Sequence, residues 1–229
     1  MQRKNPRLNP SIFNSRWYPL SLTRKNLTYI INKYIDKNKN LVLADYGCGD
    51  MPYKSLFQKN VKEYIGLDLD INKLADINFS PEGNIEIEDN SVDIVLSTQV
   101  LEHVENPALY LQESFRILKN NGQFIISTHG YWIYHPTPTD YWRWTSSGLK
   151  KIILNAGFEI ELFKGIVARP AVGILLIQDG IIYKFPKFLR PIVALPFQIL
   201  ILLFDKLLAS QKSRDKDSAI FVVVCKAIK

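Results

Sequence analysis

From residue 27 the apolar positions recur at three- and four-residue steps. Leu27, Ile30, Ile31, Tyr34 and Ile35 share one face, which predicts an amphipathic helix closed by the polar run 36–40. Leu41–Ala44 follows as a short apolar run of the buried-strand kind, and Tyr64–Leu67, Ile94–Leu96 and Phe124–Ile126 repeat the pattern. Helical segments lie between them. The clearest runs from Pro107 to Asn120: Asn106 can cap it, Pro107 suits its first position, and Asn120-Asn121-Gly122 is expected to stop it. Ala108, Leu111, Phe115 and Leu118 fall on its apolar face. Another helix is predicted from Thr145 to Ala156, with Gly157 as terminator, and Ala219–Val224 reads as a closing strand. Strands alternating with helices predict a mostly parallel sheet covered on both faces.

Residues 171–208 depart from this rhythm. Ala171–Ile177 and Pro191–Phe204 are strongly apolar, and Lys184, Lys187 and Arg190 separate them. The longer uncharged run falls short of the roughly 20 residues that a bilayer-spanning helix needs, and Pro196 interrupts it. The combination suits an in-plane amphipathic element at a membrane surface. A helical subdomain over the core, or a contact between copies, would show the same pattern.

With 229 residues, 47% of them hydrophobic and 22% charged, the chain suits one elaborated domain and excludes a disordered or fibrous protein. The net charge of +7 points to an anionic partner: nucleotide, membrane surface or nucleic acid. Residues 1–25 form a basic arm with Arg3, Lys4, Arg7, Arg16, Arg24 and Lys25, and the first acid is Asp36. Residues 1–12 of the arm are expected to be a solvated tail, whereas Trp17 and Tyr18 are expected to pack. Residues 26–229 would form the main domain, with 171–208 as an insertion before the last strand. Cys48 and Cys225 alone cannot support a disulfide scaffold, and no apolar segment of the secretory kind follows Arg3, Lys4 and Arg7. A cytoplasmic protein is the expectation, at the inner face of the membrane if 171–208 docks there.

The chemistry concentrates in Asp45-Tyr46-Gly47-Cys48-Gly49-Asp50, directly after the first strand. Two glycines allow a tight turn and bring bare backbone close to a ligand. Pro52 suits the start of the next helix, whose free amides then face the same spot. Asp68 ends the second strand, where a bound nucleoside would present its ribose hydroxyls. A nicotinamide fingerprint needs a further glycine where Pro52 stands, and no phosphate-binding Gly-Lys-Ser ending is present.

In these motifs the chain resembles the Rossmann-like S-adenosylmethionine-dependent methyltransferases. Asp45–Gly49 is similar to their glycine-rich first motif, and Tyr64–Asp68 to the second, whose acid holds the ribose. Glu88–Ser97, Ser97–Val104 and Arg116–Gly122 resemble the segments around the family's fourth strand and before its fifth. The resemblance spans residues 26–165 and implies a doubly wound, mostly parallel seven-stranded α/β sheet with an antiparallel last strand. It implies S-adenosyl-L-methionine as cofactor, held by Asp45, Gly47, Cys48, Gly49, Asp68 and Gln99. The acid often found after the family's third strand has no clear counterpart, since Glu82, Glu86 and Glu88 all compete for it.

All three histidines, His103, His129 and His135, lie on segments following carboxyl ends of strands, the edge where open parallel sheets bind ligands. His103 is the candidate general base for a hydroxyl acceptor, or alternatively a structural hydrogen-bonding group. Glu102-His103 could ligate a metal, but Gln99 is a poor third ligand and no metal is expected. In the run 135–144, His135, Asp140, Tyr141 and Arg143 are candidate acceptor contacts, on an aromatic surface suited to a sugar or phosphate. The same residues could instead hold their own loop, with Asp140 paired to Arg143. Similar runs occur in methyltransferases of bacterial surface polysaccharide and glycolipid assembly, which implies a small-molecule, sugar or lipid-linked acceptor methylated at oxygen. Cys48 has no histidine near it in sequence, so covalent catalysis is not expected. The basic residues are too dispersed to predict nucleic-acid binding. A non-catalytic, membrane-apposed scaffold is the alternative to an enzyme. Oligomeric state is not legible.

Overall fold

The computed structural model describes residues 5–35, 40–80 and 85–229. Arg3, Lys4, Asp36 and Glu82 lie outside those residues. Seven strands form one sheet: β1 (Val42–Tyr46), β2 (Glu63–Leu69), β3 (Ile77–Phe79), β4 (Val92–Thr98), β5 (Leu118–His129), β6 (Phe158–Ala168) and β7 (Ser218–Ala227). Their spatial order is β3-β2-β1-β4-β5-β7-β6. The pairs β1–β2, β1–β4, β2–β3 and β4–β5 are parallel, and β7 runs antiparallel between β5 and β6. This is the expected doubly wound sheet.

Alternation along the central strands divides the core. Leu43, Ile94, Leu96 and Ile125 point to one face, where they meet α1 (Trp17–Tyr34), α5 (Arg169–Ile182) and α6 (Arg190–Leu208). Ala44, Val95, Phe124 and Ile126 point to the other, under α3 (Pro107–Ile117) and α4 (Ser146–Asn155). The short helices α2 (Lys54–Phe57) and α7 (Gln211–Lys216) complete the set among the described residues.

Local signals placed the caps well. The Asn106 side chain accepts from Leu109 N at 3.1 Å, and Thr145 accepts from Gly148 N at 3.0 Å. Three boundaries differ from expectation. The first helix begins at Trp17 rather than Leu27, because Tyr18 is buried and its amide donates to Gln198 Oε1 at 2.9 Å. α3 ends at Ile117 rather than Asn120, because Leu118 is buried in extended backbone and pairs with Val92. α6 continues through Pro196 for 19 residues, with Ala194, Gln198, Ile201 and Asp205 as its buried stripe. By length and composition it is apolar enough to cross a membrane, with a mean hydropathy of 1.9, and only 22% of it is buried.

The arm also differs. Residues 5–12 are not a free tail: Asn5 Nδ2 donates to Asp50 Oδ2 at 3.1 Å, Arg24 Nη1 donates to Leu8 O at 3.1 Å, and Leu8 packs on the core.

Candidate active site

Parallel strands β1, β2, β4 and β5 end at one edge, and the loops after them converge there. Gly47 N and Cys48 N both donate to Leu67 O, at 2.8 and 3.0 Å, which folds the turn back over β2. Gly47 has φ +79° and Gly49 φ +54°. A methyl group on Gly47 would stand 2.6 Å from both Val100 methyls, so glycine is required by conformation and by space. A methyl group on Gly49 would meet nothing within 4 Å; that side of the turn faces open space.

Asp68 holds the turn from the neighbouring strand. Its Oδ2 accepts from Gly49 N at 2.8 Å and Asn72 Nδ2 at 2.7 Å, and its Oδ1 accepts from Leu69 N at 2.8 Å. A carboxylate has about four acceptor sites, so capacity for a hydroxyl remains. The turn, Asp68 and Gln99 line a cavity of about 1580 Å³. Gln99 has φ +57°; its Nε2 donates to Ser127 Oγ at 3.0 Å, while its buried Oε1 has no partner.

Asp45 and Cys48 do not line this cavity. Asp45 is 2% exposed and receives the Tyr64 hydroxyl, leaving its Oδ1 without a partner. Burial pushes its carboxyl up to about 7. Burial, with Asp45 and Asp68 nearby, likewise pushes the Cys48 thiol up to about 12. Asp45 is thus held by Tyr64, and the Cys48 side chain is buried within the turn. Of the described candidates for an acid after the third strand, neither Glu86 nor Glu88 lines the cavity; Phe79 does, edge-on to Tyr46 at 5.2 Å.

A single 3₁₀ turn, Leu101–His103, carries Glu102 and His103 into the same region. His103 lines the cavity, and its Nδ1 lies 2.5 Å from Thr139 O. A carbonyl only accepts, so this contact places a proton on Nδ1, and in the neutral ring the lone pair is then on Nε2, 4.0 Å from Glu102 Oε1. The His135 ring is 5.4 Å from His103. Glu102 is fully buried beneath them: Oε2 accepts from Thr128 Oγ1 at 2.8 Å, and Oε1 lies 3.0 Å from His129 Nδ1. That approach lacks hydrogen-bond alignment, so both atoms are without a partner. Burial pushes Glu102 up to about 7 and holds His129 well below the ordinary histidine range. No cluster with metal-binding geometry occurs among the described residues.

The loop 130–144 separates the candidate acceptor contacts. His135 and Tyr141 line the cavity; Asp140 and Arg143 do not. Asp140 receives Arg143 at 2.6 Å and His135 N at 2.6 Å, and Arg143 also donates to Trp132 O at 3.0 Å. The guanidinium holds the Asp140 carboxyl at about 2. These two charges brace the loop, which presents Trp132, Tyr141 and Trp142 to the cavity.

The sequence offered no pointer to Arg7, Arg16, Trp132 and Tyr183 on the cavity wall. Arg16 forms an ion pair with Asp179 at 2.5 Å and lies 5.2 Å from the Trp132 ring. The basic arm and its aromatic residues showed a charged surface without placing it; Arg16 meets Asp179, 163 positions away, and Arg7 lies 3.8 Å from Asp50.

The methyltransferase-domain family matches residues 44–126, from within β1 through most of β5. A probable S-adenosylmethionine-dependent methyltransferase of Mycolicibacterium smegmatis is 30% identical over 134 residues, 52% of each chain. The chain therefore aligns with about half the length of that curated relative. Among solved structures, phosphoethanolamine N-methyltransferase 2 of Haemonchus contortus, in complex with S-adenosyl-L-methionine, superposes with a TM-score of 0.59. That match is 16% identical and covers 100% of this chain and 61% of the other. The [4+2]-cyclase SpnF superposes with a TM-score of 0.58 at 15% identity, covering 91% and 82%. Residues 44–126 thus match a methyltransferase domain, and the relative aligned over 134 residues carries the name of an S-adenosylmethionine-dependent methyltransferase. The residues present fit that cofactor: open space above Gly49, spare acceptor capacity on Asp68, and the unpartnered Gln99 Oε1.

Proposed function

We propose that the whole chain is an S-adenosylmethionine-dependent methyltransferase that moves a methyl group to a hydroxyl oxygen of a small-molecule or sugar-bearing acceptor. The observation that carries this reading is one cavity with Gly47, Gly49, Asp68 and Gln99 on its wall together with His103. When bound, the cofactor supplies a methyl group already activated by its sulfonium. The protein then has two tasks: alignment of the acceptor with that carbon, and removal of the acceptor's proton. Gly49 gives backbone access, Asp68 accepts from ribose hydroxyls, and Gln99 meets the amino-acid end. His103 Nε2 takes the hydroxyl proton, with Nδ1–H anchored on Thr139 O. Trp132, Tyr141 and Trp142 offer the flat apolar faces on which sugar rings stack. Two free cysteines suit a reducing cytoplasm as the compartment of the reaction.

The test is incubation with a donor labelled in its methyl group and fractionated saccharide extracts. Label entering a base-stable ether supports the reading. Binding of S-adenosylhomocysteine without any transfer would replace it with a non-catalytic binding protein.

A further inference from the structure

We infer that the outer face of the α5–α6 hairpin docks on an anionic lipid bilayer, and that the methyl acceptor is an amphiphile resident in that bilayer. The second clause rests on the methyltransferase reading; the first does not.

The hairpin has inverted polarity. Its amide and acidic side chains point inward: Gln178 and Gln198 are fully buried, Asp205 is 2% exposed and Asp179 9%, while the cations Arg169 and Lys206 near the helix ends stay exposed. All are bonded within the domain. Gln198 Nε2 donates to Gln178 Oε1 at 2.7 Å, Tyr18 Oη donates to Asp205 at 2.8 Å, and Arg16 pairs with Asp179. The outer face is apolar: Phe188 is 75% exposed, Ile192 64% and Leu207 76%, with Leu176, Ile177 and Leu203 beside them. A helix packed on a core in water turns its polar side outward. This arrangement suits an apolar medium outside.

Charge selects the occupant. No acid occurs between Asp179 and Asp205, while Lys184, Lys187 and Arg190 stand at the turn joining the helices. Cations flanking an apolar surface match an anionic headgroup layer, with their stems along the hydrocarbon boundary. A second copy fits poorly, since a two-fold contact would bring the same unpaired cations into one interface. A spanning helix fits poorly too, because Gln198 and Asp205 tie α6 to α1 along its length. An in-plane element satisfies all of these constraints.

The cavity connects to this surface. Tyr183, directly after α5, lines the main cavity and is 59% exposed. The Arg190 guanidinium lies 5.2 Å from its ring. A second cavity of about 270 Å³ touches Tyr183, Lys187, Arg190 and Ser15, so a cationic recess adjoins the cavity on the hairpin side. The main cavity's volume of about 1580 Å³ exceeds the usual ligand site of about 300–1,000 Å³, leaving room for an acceptor beside the cofactor.

The full chain is sedimented with phosphatidylcholine vesicles and with vesicles containing phosphatidylglycerol. Binding is expected to the anionic vesicles and to weaken in high salt. The variant I192S/L203S/L207S should lose about tenfold or more in partitioning while keeping wild-type affinity for S-adenosylhomocysteine, which reports an intact fold. Lys184→Glu with Lys187→Glu should remove the preference for anionic vesicles. Undiminished partitioning of the serine variant overturns the docking surface. So does a wild-type dimer that the serine substitutions convert to monomer without vesicle binding. Wild-type protein that binds vesicles but not S-adenosylhomocysteine would sink the methyltransferase reading alone. With a labelled methyl donor and a whole-cell extract, label should enter the organic phase; label confined to water-soluble products overturns the acceptor assignment.

Discussion

Glu102 Oε1 lies 3.0 Å from His129 Nδ1 in a buried pocket where neither atom is aligned for a hydrogen bond. Buried polar atoms are seldom left unsatisfied, and here burial favours the neutral form of each group, raising the carboxyl to about 7 and lowering the imidazole. The His129 imidazole lines the same cavity as His103 and the buried Glu102 carboxyl lies against it, so their titration bears on stability at the candidate site.

The pH dependence of stability follows. Glu102 in the folded chain keeps its proton to about 7, whereas the unfolded chain releases it near 4.5. Stability from this group is complete below the lower value and is lost as pH rises through the upper one. The total loss is on the order of 3 kcal/mol, since each tenfold change in proton affinity corresponds to about 1.4 kcal/mol. Glu102→Gln does not titrate, so its melting temperature relative to wild type should climb between pH 5 and pH 8, as read by circular dichroism. Asp45→Asn should show the same trend. His129 acts in the opposite sense: its lowered value removes stability as pH falls below the ordinary histidine range. A pH-independent difference for Glu102→Gln would contradict this account.

Gly47→Ala adds a methyl group 2.6 Å from Val100 at φ +79°. The expected cost is about 1–3 kcal/mol, visible as a lower urea midpoint. Val100→Ala in the same chain should recover the steric share and leave the conformational share.

Asp68→Ala removes acceptors for Gly49 N and Asn72, and for the ribose under the proposed function. Affinity for S-adenosylhomocysteine should fall by about ten- to hundredfold in calorimetry, the worth of charge-assisted hydrogen bonds. An unchanged affinity would remove Asp68 from the cofactor site.

His103→Asn should lower turnover by about 10²–10⁴, the usual contribution of a general base, with S-adenosylhomocysteine binding unaltered. Arg143→Lys would test the bracing role of the loop. Loss of the fork to Asp140 should weaken acceptor affinity and lower turnover together, because the aromatic wall and Thr139, which anchors His103, lie on the loop that the fork braces.

Much of this protein was legible in one dimension. Apolar runs, the 3.6-residue period, Asn106 as a cap and the Gly47–Gly49 turn are local signals, since each depends on residues within a turn or a strand of one another. They carried five strands of the sheet and the glycine side of the cavity; β3 and β6 left no such signal, and the count of seven came from the family resemblance. Tertiary packing decided the rest. Leu118 left its helix to pair with Val92, Asp45 and Cys48 stayed off the cavity wall, and Asp140 closed on Arg143 instead of facing the cavity. Arg16 met Asp179 across 163 positions, and the apolar stretch 171–208 turned its few polar side chains inward. Periodicity reports which residues share a face; only the packed chain decides which face meets the core, because burial energy depends on partners distant in sequence.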